Sequence, residues 1–386
     1  MNSQLTLNRD MLRVLLVLHE LSPGAPSVTL DAFEWMKKDV TVRTIAFDGG
    51  FLESRYRRLG RLDILPEWQP SWGRRLLRNW SLRRLRRDIA HFRPELLYVN
   101  SIASLTRASQ LGIPGVPVLV HVHELESFVE RVVESDLNLL LTWPARFIAV
   151  SQAVRALLVN VVGIPESRVA LVYDFIRDDV LAIESAQRGP AANQKQGPFV
   201  VGGAGAHFWR KGITLWLQMA AAMKRLLPER LLEFQWVGIV HDEDARMAKL
   251  EARKLGIENI VRFVPRIERP LDHFQEFDVF AMTSWEDPCP LVVLENMALG
   301  KPVVCFQGGG GAPEEVGSAG LVIPEFRPEM MAAAIAELAV DGARREHFGR
   351  MARSRVKDMF VASVQVPRLL DEMMQVAGRR GPPRIY

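Results

Sequence analysis

VFAMTSWEDPCPLVVLENMALGKPVVCF, residues 279–306, decides the fold class of this chain. Val279–Met282 is a short apolar run, and Pro288 and Pro290 break the loop behind it. Leu291–Leu299 has helical length and composition, and Pro302–Phe306 is apolar and β-branched again. Two short strands buried on both faces and joined by a helix predict a parallel crossover unit, since parallel neighbours cannot be linked by a tight turn.

The same alternation extends in both directions. Strands are expected at Phe199–Gly202, Glu233–Val237, Ile260–Phe263 and Leu321–Ile323, with helices at Ile213–Leu226, Asp242–Leu255 and Pro328–Val340. One long helical pattern from about Arg344 to Val376 and a frayed tail close the chain. The first half offers strands at Arg13–Leu18, Val40–Ala46, Leu96–Val99, Val118–His121 and Phe147–Val150, with helices such as Val28–Lys38 and Arg74–Phe92. Between the halves lies ESAQRGPAANQKQGP, residues 184–198, small, polar and linker-like. The expected organisation is an N-terminal domain over 1–183, the linker 184–198 and a second domain over 199–360. A C-terminal helix and tail over 361–386 are expected to pack back on the first domain. The expected class is α/β, two doubly wound Rossmann-like domains facing an interdomain cleft, with ligands outside the carboxyl ends of the strands.

Composition narrows the function classes. The chain has 386 residues, 48 % hydrophobic and 24 % charged, which excludes disordered and collagen-like proteins. Its two cysteines, Cys289 and Cys305, fit no metal-binding spacing and suggest a reducing, cytoplasmic compartment. No stretch reaches the roughly 18 apolar residues needed to span a bilayer. Leu12–Leu18 runs straight into His19 and Glu20, so a first core strand fits better than a signal segment. The net charge of +4 is uneven: twelve arginines lie between Arg55 and Arg93, interleaved with Trp68, Trp72 and Trp80. Arginine with tryptophan suits an anionic surface. The expectation is peripheral attachment to the inner face of the cytoplasmic membrane, with no nucleic-acid partner.

The chemistry-bearing residues sit where strands give way to helices. Asp287 and Glu295 are separated by seven residues, one at a loop mouth and one in the following helix, and a carboxylate there can accept two hydrogen bonds from vicinal sugar hydroxyls. After Pro302–Phe306 comes Gln307-Gly-Gly-Gly-Gly311-Ala-Pro-Glu314, a glycine loop at a helix start and so a candidate anion site. After the first strand of the second half, Gly202-Gly203-Ala-Gly leads to Arg210-Lys211-Gly212, two cations able to neutralise a diphosphate. The glycines do not make a Walker loop. In the first half, His19 and Gly24, Asn100-Ser101, and His123-Glu124 follow strands; the absence of GxGxxG there disfavours dinucleotide binding.

Taken together, these residues resemble the retaining glycosyltransferase family 4 with its two-domain GT-B fold. The most specific element is the acidic E-x7-E motif, here Asp287 to Glu295, with Glu286 one residue early. GKPVV at 300–304, the GG-x-PE turn ending at Glu314 and the Arg210-Lys211-Gly212 triplet follow in the family's order. The resemblance implies transfer of a sugar, with retention, from a UDP- or GDP-linked donor to a saccharide or lipid-linked acceptor in polysaccharide or glycoconjugate assembly. It implies His123, Asp287, Arg210 and Lys211 as catalytic residues. Glu295, Gly24, Gly203, Pro290, Leu291, Gly310 and Glu314 would bind the donor, and His19, Asn100 and Glu124 would lie on the acceptor side. No cofactor and no metal are implied, because the two cations can do a metal's charge neutralisation. The scaffold also suits a nucleotide-sugar 2-epimerase using His121, His123 and Asp287, or a non-catalytic membrane-surface protein.

Overall fold

The computed structural model describes residues 11–65, 75–130, 134–183, 197–206, 209–239, 242–267 and 270–379. Trp68, Trp72, the side chain of Trp80 and nearly all of the expected linker lie outside them. The chain divides into two compact units. The first comprises Met1–Val150, Val154–Val172 and Gln365–Tyr386; the second comprises Ser151–Ala153 and Tyr173–Val364.

The first unit is a seven-stranded sheet of β1 (Leu12–Leu18), β2 (Val40–Ala46), β3 (Arg61–Ile64), β4 (Leu96–Asn100), β5 (Val118–Val122), β6 (Ala145–Ala149) and β7 (Val169–Leu171). All neighbours are parallel, in the order β3-β2-β1-β4-β5-β6-β7. The central strands are almost wholly buried and lack alternation, as parallel strands covered on both faces should. The sequence patterns missed β3 and β7, because both are short edge strands: Arg61 and Asp63 make β3 read as polar, and β7 has three residues. Arg43 of β2, 3 % exposed, reaches Asp63 at 2.6 Å, so a buried cation is matched to the edge strand. The C-terminal segment joins this unit through ion pairs of Arg146 with Glu372 and Arg379 with Glu95.

The second unit is a six-stranded parallel sheet of β8 (Phe199–Ala204), β9 (Leu232–Ile239), β10 (Val261–Pro265), β11 (Val279–Met282), β12 (Val303–Phe306) and β13 (Leu321–Ile323), ordered β10-β9-β8-β11-β12-β13. Helices Ile213–Leu226 and Pro328–Val340 cover one face over Trp216, Phe234 and Trp236. Helices Leu291–Ala298 and Gly342–Met359 cover the other over Phe277 and Phe280. Each fully buried side chain of this size contributes roughly 1.5–3 kcal/mol.

Three expected boundaries shift. β8 runs on to Ala204, so Gly202 and Gly203 are strand residues. A Cβ would stand 2.1 Å from the Phe277 ring at Gly202 and 2.5 Å from Trp216 Nε1 at Gly203, which leaves room there for glycine alone. The long helix expected over 344–376 is two helices, Gly342–Met359 and Ala362–Val376. They part because Ile176 pairs with the chain between them: its N–H donates to Phe360 O, and its O accepts from Ala362 N–H. The same bonds draw Tyr173–Ile183 into the second unit, moving the boundary from the expected 183 to 172.

In each sheet the order reverses once, between β1 and β4 and between β8 and β11. Adjacent connections diverge at such a point, and in open α/β sheets ligands bind beyond the carboxyl ends of the two strands.

Candidate active site

In the second unit the switch point is occupied by charge. Lys211, in the loop after β8, pairs with Asp287, in the loop after β11; their side chains are 15 % and 7 % exposed. Three glycines make this approach feasible. A Cβ on Gly205 would stand 2.5 Å from Lys211 Cγ, so Gly205 clears the lysine stem. Gly212 has φ +68°, and its Cβ would lie 1.9 Å from Thr283 O, so any side chain would push the lysine loop off the end of β11. The Trp285 N–H donates to Arg210 O at 3.0 Å and holds the two loops together. The loop after β12 is bonded to the same place: Asp287 N–H donates to Gly309 O, Gly311 N–H donates to Asp287 O, and a Cβ on Gly311 would meet Pro288 O at 2.2 Å. The glycine run therefore lets one loop lie against another. Gly310, at φ +89°, sits at the bridge to Asp287. Asp287, not Glu286, is the buried acid of this pair.

Glu295 lies in helix Leu291–Ala298, and no described residue bonds its carboxylate. Although the residue keeps some solvent access, the protein around it pushes the carboxyl up to about 7, with burial the sole cause. Pro290 caps this helix without a side-chain hydrogen bond, which leaves the first-turn amides of Leu291 and Val292 outside the helix's own bonding. Arg210 also has no ion pair among the described residues. Glu314, by contrast, is engaged. It accepts from the amides of Gln152 and Ala153 and from the Tyr173 hydroxyl at 3.2 Å. Burial raises its carboxyl, and it raises the Tyr173 phenol to about 12. Glu315, which sequence reasoning left out of the site, is fully buried and accepts the Cys289 thiol at 3.0 Å. Burial lifts its carboxyl well above the usual range.

In the first unit, the ends of β1, β4 and β5 carry a polar cluster. Asn100, fully buried at the end of β4, accepts Thr29 Oγ–H at 2.7 Å and lies 3.1 Å from His123 Nε2. The Glu124 carboxylate accepts from Ser101 Oγ–H, Ile102 N–H and His123 N–H, so it bridges the β4 and β5 loops. His121 is buried beside Tyr98, and its ring lies 4.2 Å from that of His123, tilted by 49°; burial pushes its pKa well down, so it is neutral. Burial also lowers His19. Among the described residues, three buried polar atoms here have no hydrogen-bond partner: His19 Nδ1, Asn100 Nδ2 and His121 Nε2. Gly24, at φ +126°, caps helix Ala25–Trp35, whose Thr29 reaches Asn100. Thr29 is readable only once that helix is seen to begin at Ala25 rather than Val28.

Comparison with known proteins gives this geometry a family. Residues 25–180 match the profile described as Glycosyltransferase Family 4, and residues 198–341 match Glycosyl transferases group 1. The chain belongs to glycosyltransferase family 4. A D-inositol 3-phosphate glycosyltransferase of Corynebacterium kroppenstedtii is 31 % identical over 45 % of this chain, and one of Kineococcus radiotolerans is 35 % identical over 27 %. The chain spans 39 % and 27 % of these two relatives' own length. Among solved structures, Anabaena Alr3699/HepE in complex with UDP and glucose superposes with a TM-score of 0.77 at 19 % identity, covering 94 % of this chain and 99 % of that one. Sucrose-phosphate synthase from Thermosynechococcus elongatus gives 0.75 at 18 %, covering 95 % and 100 %. These likenesses establish the GT-B fold, two parallel-sheet Rossmann-like domains. No helix among the described residues is long and apolar enough to cross a membrane.

Proposed function

We propose that this chain is a retaining glycosyltransferase that moves a hexosyl group from a nucleoside-diphosphate sugar to a saccharide or lipid-linked acceptor. The observation that carries the reading is the Lys211–Asp287 pair at the second unit's switch point; Arg210 precedes that lysine, and neither Arg210 nor Glu295 has an ion-pair partner among the described residues. Glu295 accepts the two ribose hydroxyls. The amides of Leu291 and Val292 at a helix start favour an anion. Arg210 and Lys211 draw off charge from the departing diphosphate, and Lys211 exchanges one anionic partner for another as it does so. Asp287, released, accepts hydroxyls of the donor sugar. With two cations serving the leaving group, the reaction proceeds without a metal and survives EDTA. His123, oriented by Asn100 and by the Glu124 bridge, belongs to the reacting-carbon side of the mechanism.

Thermal shift against UDP, GDP, ADP and their glucose conjugates tests the donor. One nucleotide is expected to raise Tm in proportion to its affinity, and radiolabelled transfer to a glycan or lipid-linked acceptor should follow. A flat response to all six compounds would overturn the reading.

Attachment to anionic membrane is a second element of the proposal. Several described arginines of the basic segment are spent internally: Arg55 on Asp31 and Glu34, Arg57 on Glu53, and Arg61 on Asp63 and Asp88. Arg58, Arg83, Arg84 and Arg87 remain exposed and supply the surface charge. Co-sedimentation with phosphatidylglycerol vesicles that weakens with salt supports it; no binding at low salt rejects it.

A further inference from the structure

Trp285 is 37 % exposed although it is held rigidly from below. Its ring stacks on Phe326 at 4.7 Å and 29°, and Phe326 leans on Phe306 of β12 at 5.1 Å. The stack depends on Gly308, where a Cβ would stand 2.6 Å from Phe326 Cε2. The Trp285 backbone is tied to Arg210, and the next residue in that loop is Lys211. Trp209, 61 % exposed, opens the same loop. The result is an aromatic face fixed in orientation, open on one side, at the carboxyl edge of the sheet and in the loop that carries Asp287.

We infer that Trp285 is the platform on which the donor's pyranose ring stacks. This inference rests on the nucleotide-sugar reading of the site. A pyranose presents an apolar C–H face to an aromatic ring and a rim of hydroxyls to polar neighbours. Trp285 and Asp287 are two residues apart, about 7 Å at full extension. Their Cα atoms therefore lie no further apart than that, a separation on the scale of one sugar ring. A nucleobase would also stack, but the ribose and diphosphate separate it from the sugar, so a base on Trp285 would carry the glycosyl group away from Asp287. The indole selects a ring that offers an unbroken C–H face, which makes Trp285 a specificity-determining residue for the sugar.

The test compares UDP with UDP-glucose by calorimetry, or the GDP or ADP pair if that nucleotide gives the larger thermal shift. In the natural protein the sugar should tighten binding over the bare nucleotide. Trp285→Leu is expected to reduce that increment by about three- to tenfold, on the scale of one aromatic contact, and to leave nucleotide affinity unchanged. Trp285→Phe should restore most of the increment. Unchanged nucleotide binding in the leucine variant also reports that the site is still folded. Equal weakening of nucleotide and nucleotide-sugar would assign the platform to the base and overturn the inference, as would an increment the leucine variant leaves intact. If none of the nucleotides binds the natural protein, the nucleotide-sugar reading falls first and the platform with it.

Discussion

Replacing Glu295 with glutamine is expected to stabilise the protein at alkaline pH and to weaken its hold on nucleotide. The carboxyl sits at about 7 in the folded chain against an ordinary value of 4.5, and burial is the sole cause. Between those values the unfolded chain has released the proton while the folded chain keeps it. Stability is therefore full at pH 4.5 and below, falls as pH rises, and reaches its floor above pH 7. At about 1.4 kcal/mol per pH unit, the loss at pH 8 amounts to up to about 3 kcal/mol. Glutamine has the same shape and never ionises. The stability gap between Glu295→Gln and the natural chain should grow from near zero at pH 4.5 to about 3 kcal/mol at pH 8. For a unit of this size that is roughly 6–12 °C in Tm. Scanning calorimetry at pH 5 and pH 8 reads it directly. Bound ribose hydroxyls stabilise the carboxylate, so nucleotide affinity of the natural chain should rise with pH through about 7. The glutamine variant should lose that dependence and bind about tenfold more weakly at pH 8, the cost of one hydrogen bond to a charged acceptor. A stability gap that does not change with pH would refute the burial argument. Undiminished nucleotide binding by the variant would remove Glu295 from the site.

Lys211→Ala leaves Asp287 nearly buried without its cation, so the second unit should lose about 3 kcal/mol in denaturant unfolding, and turnover should fall by about a hundredfold or more. Lys211→Ala combined with Asp287→Ala should regain much of the stability and none of the turnover; activity in the double variant would detach the pair from catalysis. Gly212→Ala places a Cβ 1.9 Å from Thr283 O at φ +68°, so it should cost at least about 1–3 kcal/mol and most of the activity; near-natural values of both would show that the lysine loop tolerates displacement. Glu124→Gln breaks a carboxylate bridge with three donors and should lower kcat more than donor KM, because it loosens His123 without touching the donor loops.

Much of this was legible in the chain. All six strands of the second unit read from sequence, most of them as short apolar runs, and their helices carried the complementary stripes. The positions of Lys211 and Asp287 in loops after strands, and of Glu295 in the helix that follows, were legible as well, since glycines and prolines mark where strands end. The edge strands β3 and β7 were not legible. β3 alternates Arg61 and Asp63 with its apolar residues, and β7 lacks turn residues like Gly320 and Pro324, which bracket the equally short β13. The break at Phe360–Val361 was equally hidden, because it answers to Ile176, which is far away in sequence.

Local sequence determined which residue types stand at the ends of which strands. Tertiary structure decided which of those residues are spent and which are left to act. Glu314 and Glu124 had the look of ligand contacts, yet their oxygens are consumed by backbone amides and hydroxyls from other loops. Gly203 had the look of a loop glycine, yet two tryptophans fill the space beside it. The Glu295 carboxylate has no hydrogen-bond donor among the described residues, and burial alone raises it. Composition and periodicity specify burial by face, but a hydrogen bond is a directional contact within about 3 Å, and only the folded chain brings its two partners to that distance.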